Sequence, residues 1–575
     1  MIISALSEYY DIIADDNENI PSYGFCNARV THEIHLTENG EIIFPIIPLE
    51  EKRDNKVLPK YINVPAQPKR ASNIESGFLC EKFDYVFGNQ SDSKSMDRHG
   101  AFVELHEKIL TRINHPYSKA MKRFLSLSDG YADLDEVKSL NEQPCVFVFS
   151  IKGRYIHEID EFVEAWLEEV EERDNASTKM QCSITGEMAS IARLHPVIKG
   201  LRNGQKAGTS LVSFNNDAYV SYGKEQGDNA PISTLTAFKY TACLNFLLSD
   251  RRHHIYVGDD TAVVYWAETK EPKYLDFINT YINPIQDIDQ EEQIRGVLES
   301  YKQGSLPDIS QIGIQKQCKF YLLGLNANAS RIAIRFFCQT TFEDIISKLL
   351  LHTSDLLIER EFDAQKKYIP VWMIIKELSK PKSSSESSPL LSGSILRSIF
   401  EGTLYPRGML TTVINRVRCD QDEDKMKVKI NYVRASIIKA YLTRMARINK
   451  NDKILEVLKM SLNVDTNYMP YLLGRLFAVL EKIQKDANPN ISATIKDRYF
   501  SSACATPASV FPTLIKLSQS NLSKIEYRLF YDKKVGEIID MFDKENFPKN
   551  LSLEDQGVFI VGYYHQMNNL YMKQE

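Results

Sequence analysis

A chain of 575 residues, 43% of them hydrophobic, holds enough apolar material for three or four ordinary domains, so disorder is not expected. The net charge of −6 conceals an asymmetry: residues 381–575 carry 28 Lys+Arg against 21 Asp+Glu, and residues 1–380 carry 42 against 55. A positive region suits a nucleic-acid binder, where each neutralised phosphate releases counterions, and it suits an ordinary solvated helical surface equally well.

The opening MIISALSEYYDIIADD spaces Ile2, Ile3, Leu6, Tyr9, Ile12 and Ile13 as one helical face, without the basic region or small-residue cleavage site of a signal peptide. No apolar run approaches the roughly 20 residues that a bilayer span requires, so a soluble cytoplasmic protein without a membrane partner is expected. The nine cysteines stand far apart with no C-x2-C pair, which predicts reduced core thiols and neither a metal nor another cofactor.

Further along, VPAQPKRASNIESGFLC (64–80) sets Lys69, Arg70, Ser72 and Asn73 after a proline. Such a loop is either a base reader or a solvated turn before a helix. PCVFVFSIKGRYIHEI is rich in β-branched and aromatic residues and reads as strand. From His195 to Ser233, glycines 200, 204, 208, 223 and 227 are surrounded by Lys199, Arg202, Gln205, Lys206, Ser210, Asn215, Asn216, Lys224 and Gln226. Glycines allow close backbone approach to a partner, and the amides and lysines favour a binding surface; a loop folded on its own hydrogen bonds is the alternative. Tyr222 either stacks on a base or packs.

RRHHIYVGDDTAVVYW predicts two strands joined by a Gly-Asp turn, and CKFYLLGLNANASRIAIRFF predicts a hairpin with its loop at 325–330. KPKSSSESSPLLSGS, where serine replaces apolar periodicity, predicts a linker or loop over 381–393. Beyond it the period is helical throughout. In YLLGRLFAVLEKIQ and its flanks, Met469, Leu472, Leu473, Leu476, Phe477, Leu480 and Ile483 form one stripe. In INYVRASIIKAYLTRMARINK, Ile430, Ile437, Tyr441, Met445 and Ile448 share a face, which leaves Lys439, Arg447 and Lys450 on the opposite, basic side. Ser552-Leu553-Glu554-Asp555 has capping-box character and starts a last helix. The expected class is α+β: a mixed α/β part over 1–380, the linker, and a helical bundle over 394–575.

The sequence carries no clear catalytic motif. No G-x-x-x-x-G-K-[ST] loop is present. His195 and His565 lack a neighbouring acid and nucleophile and read as structural. His253 and His254 with Asp259 and Asp260 contain metal-ligand residue types at weak spacing, and carry the alternative reading of a nucleic-acid-processing enzyme with an unrecognised metal site.

The segments LSEYYDIIAD, PKRASNIESGFLCEKFDYVFG, ARLHPVIKG, SLVSFNNDAYVSYGKEQGDNAPIS, FYLLGLNANASRIAIRFF, LYPRGMLTTVINRVR, YLLGRLFAVLEKIQKDA, DRYFSSACATPASVFP and LSLEDQGVFIVGYYHQ resemble the large subunit of the type I-C CRISPR Cascade effector complex. The resemblance covers nearly the whole chain, the linker excepted. It implies a non-catalytic role in antiviral defence: guide RNA pairs with target double-stranded DNA while this subunit reads the protospacer-adjacent motif, promotes R-loop formation and holds the displaced strand. It also implies docking to the guide-RNA handle and to backbone and handle-binding subunits, and licensing of a separate helicase-nuclease. A small subunit translated from within the C-terminal part is implied too, with Met409, Met426 and Met445 as its possible starts.

Polarity and clustering then assign the residues. The expected duplex-reading surface is Lys69, Arg70, Ser72 and Asn73 with Gln205, Ser210, Asn215, Asn216, Lys224 and Gln226. The expected grip on the displaced strand is Arg416, Arg418, Lys439, Arg447, Lys450 and Arg475.

Overall fold

The computed structural model describes residues 1–15, 17, 20–53, 56–68, 70, 74–89, 92–142, 144–214, 216–257, 261–282, 292, 294–299, 314–379, 389–420, 428–543 and 545–572. The α+β class holds: the described strands end at Thr341 and the elements after it are helices. The chain gathers into two units, Met1–Asp250 with Ala327–Ala333, and Arg251–Asn326 with Ile334–Glu575. The boundary expected at 380 therefore falls inside the second unit. Its reason is the core, because Ile345 and Leu349 of the helix Phe342–Leu356 are buried in the same cluster as Ile437, Ile438 and Leu442 of the helix Tyr432–Ile448. The expected linker is also shorter: Pro389 opens the helix Pro389–Glu401, whose Ile395, Leu396, Ile399 and Phe400 are buried, while 381–388 lies outside the described residues.

In the first unit the predicted amphipathic helix runs from Ile2 to Ile13 and buries Leu6, Tyr9 and Ile13. The strands are β1 (Phe25–Val30), β2 (His32–Leu36), β3 (Ile42–Pro48), β4 (Glu50–Arg53), β5 (Lys56–Pro65), β6 (Cys80–Lys82), β7 (Val146–Ile151), β8 (Arg154–Tyr155), β9 (Lys179–Gln181) and β10 (Met188–Ser190). One sheet runs β3-β2-β7-β6 with β8 on β7, and another runs β1-β5-β4. β2 and β7 pair in parallel with Ile34 opposite Phe149, which requires a long crossover; the helices Ser93–Leu110 and Pro116–Tyr131 lie within it. The continuous apolar run of β7 follows from its central place, since a strand covered on both faces has no polar side to show. Trp166 anchors the helix Asp160–Ala176 by donating its indole N–H to the Gly24 carbonyl at 2.6 Å and stacking on Phe78.

The second unit has one antiparallel sheet, β11 (His254–Val257), β12 (Thr261–Ala267), β13 (Lys319–Asn328) and β14 (Arg331–Thr341), in that order. The predicted hairpin is β13–β14. Gly324 in β13 leaves room for the Phe336 ring, which a Cβ there would approach to 2.5 Å. Among the helices, Met469–Ala487 and Leu553–Met572 cross closely, and the first of them is buried on every side over residues 469–483. Ser552 caps the last helix, its Oγ accepting the Asp555 N–H at 3.1 Å, as the sequence predicts. Of the possible internal starts, Met409 lies near the beginning of the helix Arg407–Cys419, Met445 lies inside Tyr432–Ile448, and Met426 is outside the described residues. No described helix is long and apolar enough to cross a membrane.

Candidate nucleic-acid interface

The polar segment 195–233 lies in the first unit and is stitched at both ends before it reaches solvent. Ile198 and Thr209 exchange backbone hydrogen bonds at 2.8 Å each. Asn245, on the helix Thr234–Ser249, holds the same stretch, accepting the Lys199 N–H at 2.8 Å and donating to the Val197 carbonyl at 3.1 Å. At the far end, Ser183 donates its N–H to the Pro231 carbonyl at 2.7 Å, and Ala192 donates to Ile232 at 2.9 Å. Cys182 sits under this junction. Burial raises its thiol pKa, but the N–H groups of Thr185, Ser233 and Ile184 outweigh burial and bring it down to about 7.

A second strip of chain completes the surface. The tip of the β13–β14 hairpin, Ala327–Ala333, belongs to the first unit. Its Ala329 carbonyl accepts the Gln205 N–H at 3.1 Å, its Ser330 carbonyl accepts the Ser210 N–H at 2.9 Å, and Ile332 donates to the Ser210 carbonyl at 3.1 Å. Ala329 has a φ of 51°, the left-handed bend that lets so short a turn close. Arg331 lies over the Tyr219 ring at 4.4 Å. The sequence gives no local sign of this pairing, because about 120 residues separate the partners.

Between these anchors projects a two-residue turn. Lys224 donates its N–H to the Ser221 carbonyl at 3.0 Å, and the central residues Tyr222 and Gly223 both have positive φ, 53° and 69°. Both signs belong to a primed turn, which glycine adopts freely and tyrosine does not. Asn229 holds the turn from beneath, accepting the Ser221 N–H at 3.1 Å and donating to the carbonyls of Lys224 at 3.0 Å and Gln226 at 3.1 Å. Gly227 sits so close to the Ala192 carbonyl that a Cβ would come within 2.1 Å of it. The result is a fixed knuckle whose Tyr222 is 99% exposed.

The expected duplex readers separate on this frame. Gln205, Asn216 and Lys224 are exposed on it, Ser210 is half-buried, and Asn216 caps the short turn of helix Asp217–Tyr219 by accepting the Ala218 N–H. Gln226 turns its Oε1 inward, buried with no hydrogen-bond partner among the described residues, so it shapes the loop rather than offering that oxygen. Arg70 is corrected as a reader. Both of its terminal nitrogens are on the buried Glu81 carboxylate, its Nε donates to the Glu75 carbonyl at 2.6 Å, and its guanidinium covers Tyr85 at 4.2 Å. Lys69, Ser72, Asn73 and Asn215 lie outside the described residues. Asn229, a positioning residue, was missed by sequence reasoning; an asparagine beside a glycine turn was its only signal.

The expected strand-binding residues in the second unit fare worse. Lys439 is buried and donates to the Asp355 carbonyl at 3.2 Å, and Arg475 is buried with its Nε on the Gln566 side chain at 3.1 Å. The reason is that their helices are central, so the side opposite the apolar stripe is also covered. Arg416 is half-buried and bound to Glu377 and Asp420, and Arg447 is bound to Asp355. Arg418 is half-buried, and Lys450 is exposed beyond the helix end.

Among the described residues, metal-ligand types do not assemble. His253 is buried with Nδ1 3.2 Å from the Tyr265 carbonyl oxygen, and Asp259 and Asp260 lie outside the described residues. Among the described residues no group of three His, Cys, Asp or Glu side chains could hold a metal ion. His195 and His565 are both buried, with Nδ1 2.8 Å from the Tyr240 hydroxyl and 2.9 Å from the Tyr471 hydroxyl.

No curated protein matches the chain. Residues 6–571, nearly its whole length, match the family described as CRISPR-associated protein (Cas_Csd1). With the resemblance thereby borne out, the chain belongs to the Cas_Csd1 family of CRISPR-associated proteins, the type I-C large subunits.

Proposed function

We propose that this chain is the non-catalytic large subunit that reads the flanking motif of target duplex DNA for a guide-RNA complex. In this reading it promotes unwinding, and a separate helicase-nuclease cuts the target. It docks to the guide-RNA handle and to the backbone subunits, consistent with a family whose members act as subunits of Cascade. The observation that carries the reading is the 221–224 knuckle. A rigid turn that offers one fully exposed aromatic ring and one lysine is suited to pressing against an unstacking base pair while the amides of Gln205 and Asn216 meet base edges. If a small subunit is made internally, Met445 is the least suited of the three starts, since it would discard most of the helix Tyr432–Ile448.

A library of flanking sequences bound by the assembled complex tests this. Gln205→Ala or Asn216→Ala should relax preference at one base position with a loss of about 1–3 kcal/mol, whereas Lys224→Ala should weaken all sequences alike. Tyr222→Ser should leave the preference but reduce opening of the duplex, read by 2-aminopurine fluorescence beside the motif. Wild-type preference and opening in all four variants would remove this surface from recognition.

A further inference from the structure

The sheet of the second unit ends on β14, whose far side carries no further strand. Phe342 donates its N–H to the Cys318 carbonyl at 2.8 Å, so residues 342, 340, 338 and 336 turn their backbone groups toward β13. Arg335, Phe337 and Gln339 therefore turn theirs away from it. This alternation starts at Arg335, because nearer the tip Ile332 already points its N–H outward, onto the Ser210 carbonyl. Among the described residues nothing bonds the outward N–H and C=O groups of Arg335, Phe337 and Gln339.

Proteins guard such edges, and this one is unguarded. In the five-stranded sheet of the first unit, the edge strand β3 carries Pro45 and Pro48, which have no N–H to offer a newcomer. Ile334–Thr341 is IRFFCQTT, with one charge and no proline, and Ile334 is 46% exposed. The side chains define the strand that fits. Trp266, Tyr321 and Phe337 form an aromatic row across β12, β13 and β14, with centroids 5.1 and 6.3 Å apart and ring planes within 14° and 19°. The row stops at the edge, where Phe337 is half-buried. Two residues before it, Arg335 is exposed and pairs with no described carboxylate. A strand beside β14 extends the row if it brings an aromatic side chain to Phe337, and neutralises Arg335 if it brings a carboxylate two positions away. A second copy of this chain meets only the first demand, since β14 laid antiparallel on itself about Phe337 sets Arg335 opposite Gln339.

We infer that β14 accepts an extended segment of another protein as a fifth strand, paired over Arg335–Gln339 and carrying an aromatic side chain and a carboxylate two positions apart. Main-chain hydrogen bonds give such a strand its grip, and the alternate side chains give it selectivity. None of these residues belongs to the proposed duplex-reading surface, so the two proposals stand or fall separately.

The test is fluorescence anisotropy of the full chain with a labelled peptide of alternating threonines and valines, in which one tyrosine and one glutamate stand two positions apart. Comparison peptides carry lysine in place of the glutamate, or methyl groups on alternate backbone nitrogens. The glutamate peptide should bind and the methylated one should not. Gln339→Pro removes an outward N–H and leaves the ladder to β13 whole, so it should weaken the glutamate peptide by about tenfold. Arg335→Glu should weaken that peptide by about fivefold and turn the preference toward the lysine peptide. Both side chains are exposed, so the melting temperature should stay at the wild-type value. No binding by the wild-type chain, equal binding of the methylated peptide, or wild-type affinity in both variants overturns the inference. So does a peptide that binds only by dissolving a dimer of the chain, which would make a second copy the occupant. If Gln339→Pro lowers the melting temperature, Arg335→Glu decides alone, and an unchanged preference in it overturns the inference.

Discussion

Asp355 is the residue on which the second unit's charged interior turns. Its carboxylate is buried and faces Arg444, itself buried, with Nε at 3.4 Å, and Arg447, which reaches partly to solvent. Burial outweighs the guanidinium groups and pushes the Asp355 pKa above the ordinary aspartate value. Arg444 is fixed in turn by the Ser398 carbonyl at 3.0 Å and by the Tyr405 ring beneath it at 4.0 Å. Removing one partner of a buried pair leaves the other uncompensated, so Asp355→Ala should destabilise the unit by about 3–5 kcal/mol in urea unfolding. Arg447→Ala, at a more exposed contact, should cost about 1 kcal/mol or less. Equal losses in the two variants would show that Arg444 does not depend on Asp355. Arg70 obeys the same logic in the first unit: its partner Glu81 is buried and also accepts the Gly77 N–H at 3.0 Å, so this arginine is committed to holding a loop.

At the level of elements, the crossing of Met469–Ala487 with Leu553–Met572 depends on two glycines. A Cβ on Gly474 would come within 2.0 Å of the Phe559 carbonyl oxygen, and one on Gly562 within 2.4 Å of the Tyr471 carbonyl oxygen. Gly474→Ala should therefore force the helices apart and lose about 1–3 kcal/mol, despite alanine's better helix propensity. Gly536, in the helix Arg528–Asp540, meets nothing within 4 Å, so Gly536→Ala should gain about 0.5–1 kcal/mol by chemical denaturation. A neutral Gly474→Ala would contradict the close crossing. The apolar stripe of the first of these helices was legible in the sequence because it repeats every turn. That Arg475 and Glu481 are buried as well was not, since periodicity reports where apolar residues lie and not how many neighbours surround them. Lys439 was misread for the same reason. The hairpin was legible from its asparagines and β-branched runs, but the docking of its tip on residues 204–210 was not, because no local pattern encodes a contact between distant segments. Over 195–233 the glycines and amides were legible as an irregular polar loop; that Asn229 and Gly227 hold the 221–227 turn with Tyr222 outward was not.

Over the whole molecule, charge asymmetry pointed to a basic C-terminal third, yet four of its arginines, Arg416, Arg434, Arg444 and Arg447, are spent inside the unit on Asp355, Glu377 and Asp420. What the two units share is a set of histidines buried in neutral form. His106 and His157 in the first are held down to about 3 and about 4 by burial, and His565 in the second to about 3 by burial and the nearby Lys439 charge. His352 is displaced the same way. Because these folded-state values lie below the unfolded value of about 6.5, the unfolded chain binds more protons in acid. Stability is thus fully present above about pH 6.5 and is lost as pH falls from there toward the folded values. At pH 5, each of His106, His157 and His565 should withdraw about 2 kcal/mol. The melting temperatures of both units should fall together between pH 7 and pH 5, and His157→Gln should flatten the fall in the first unit alone. His157 suits that test because burial lowers its pKa against only one opposing contact, a backbone hydrogen bond at Asn63. A melting profile flat across that range would mean that water reaches these rings in the folded protein.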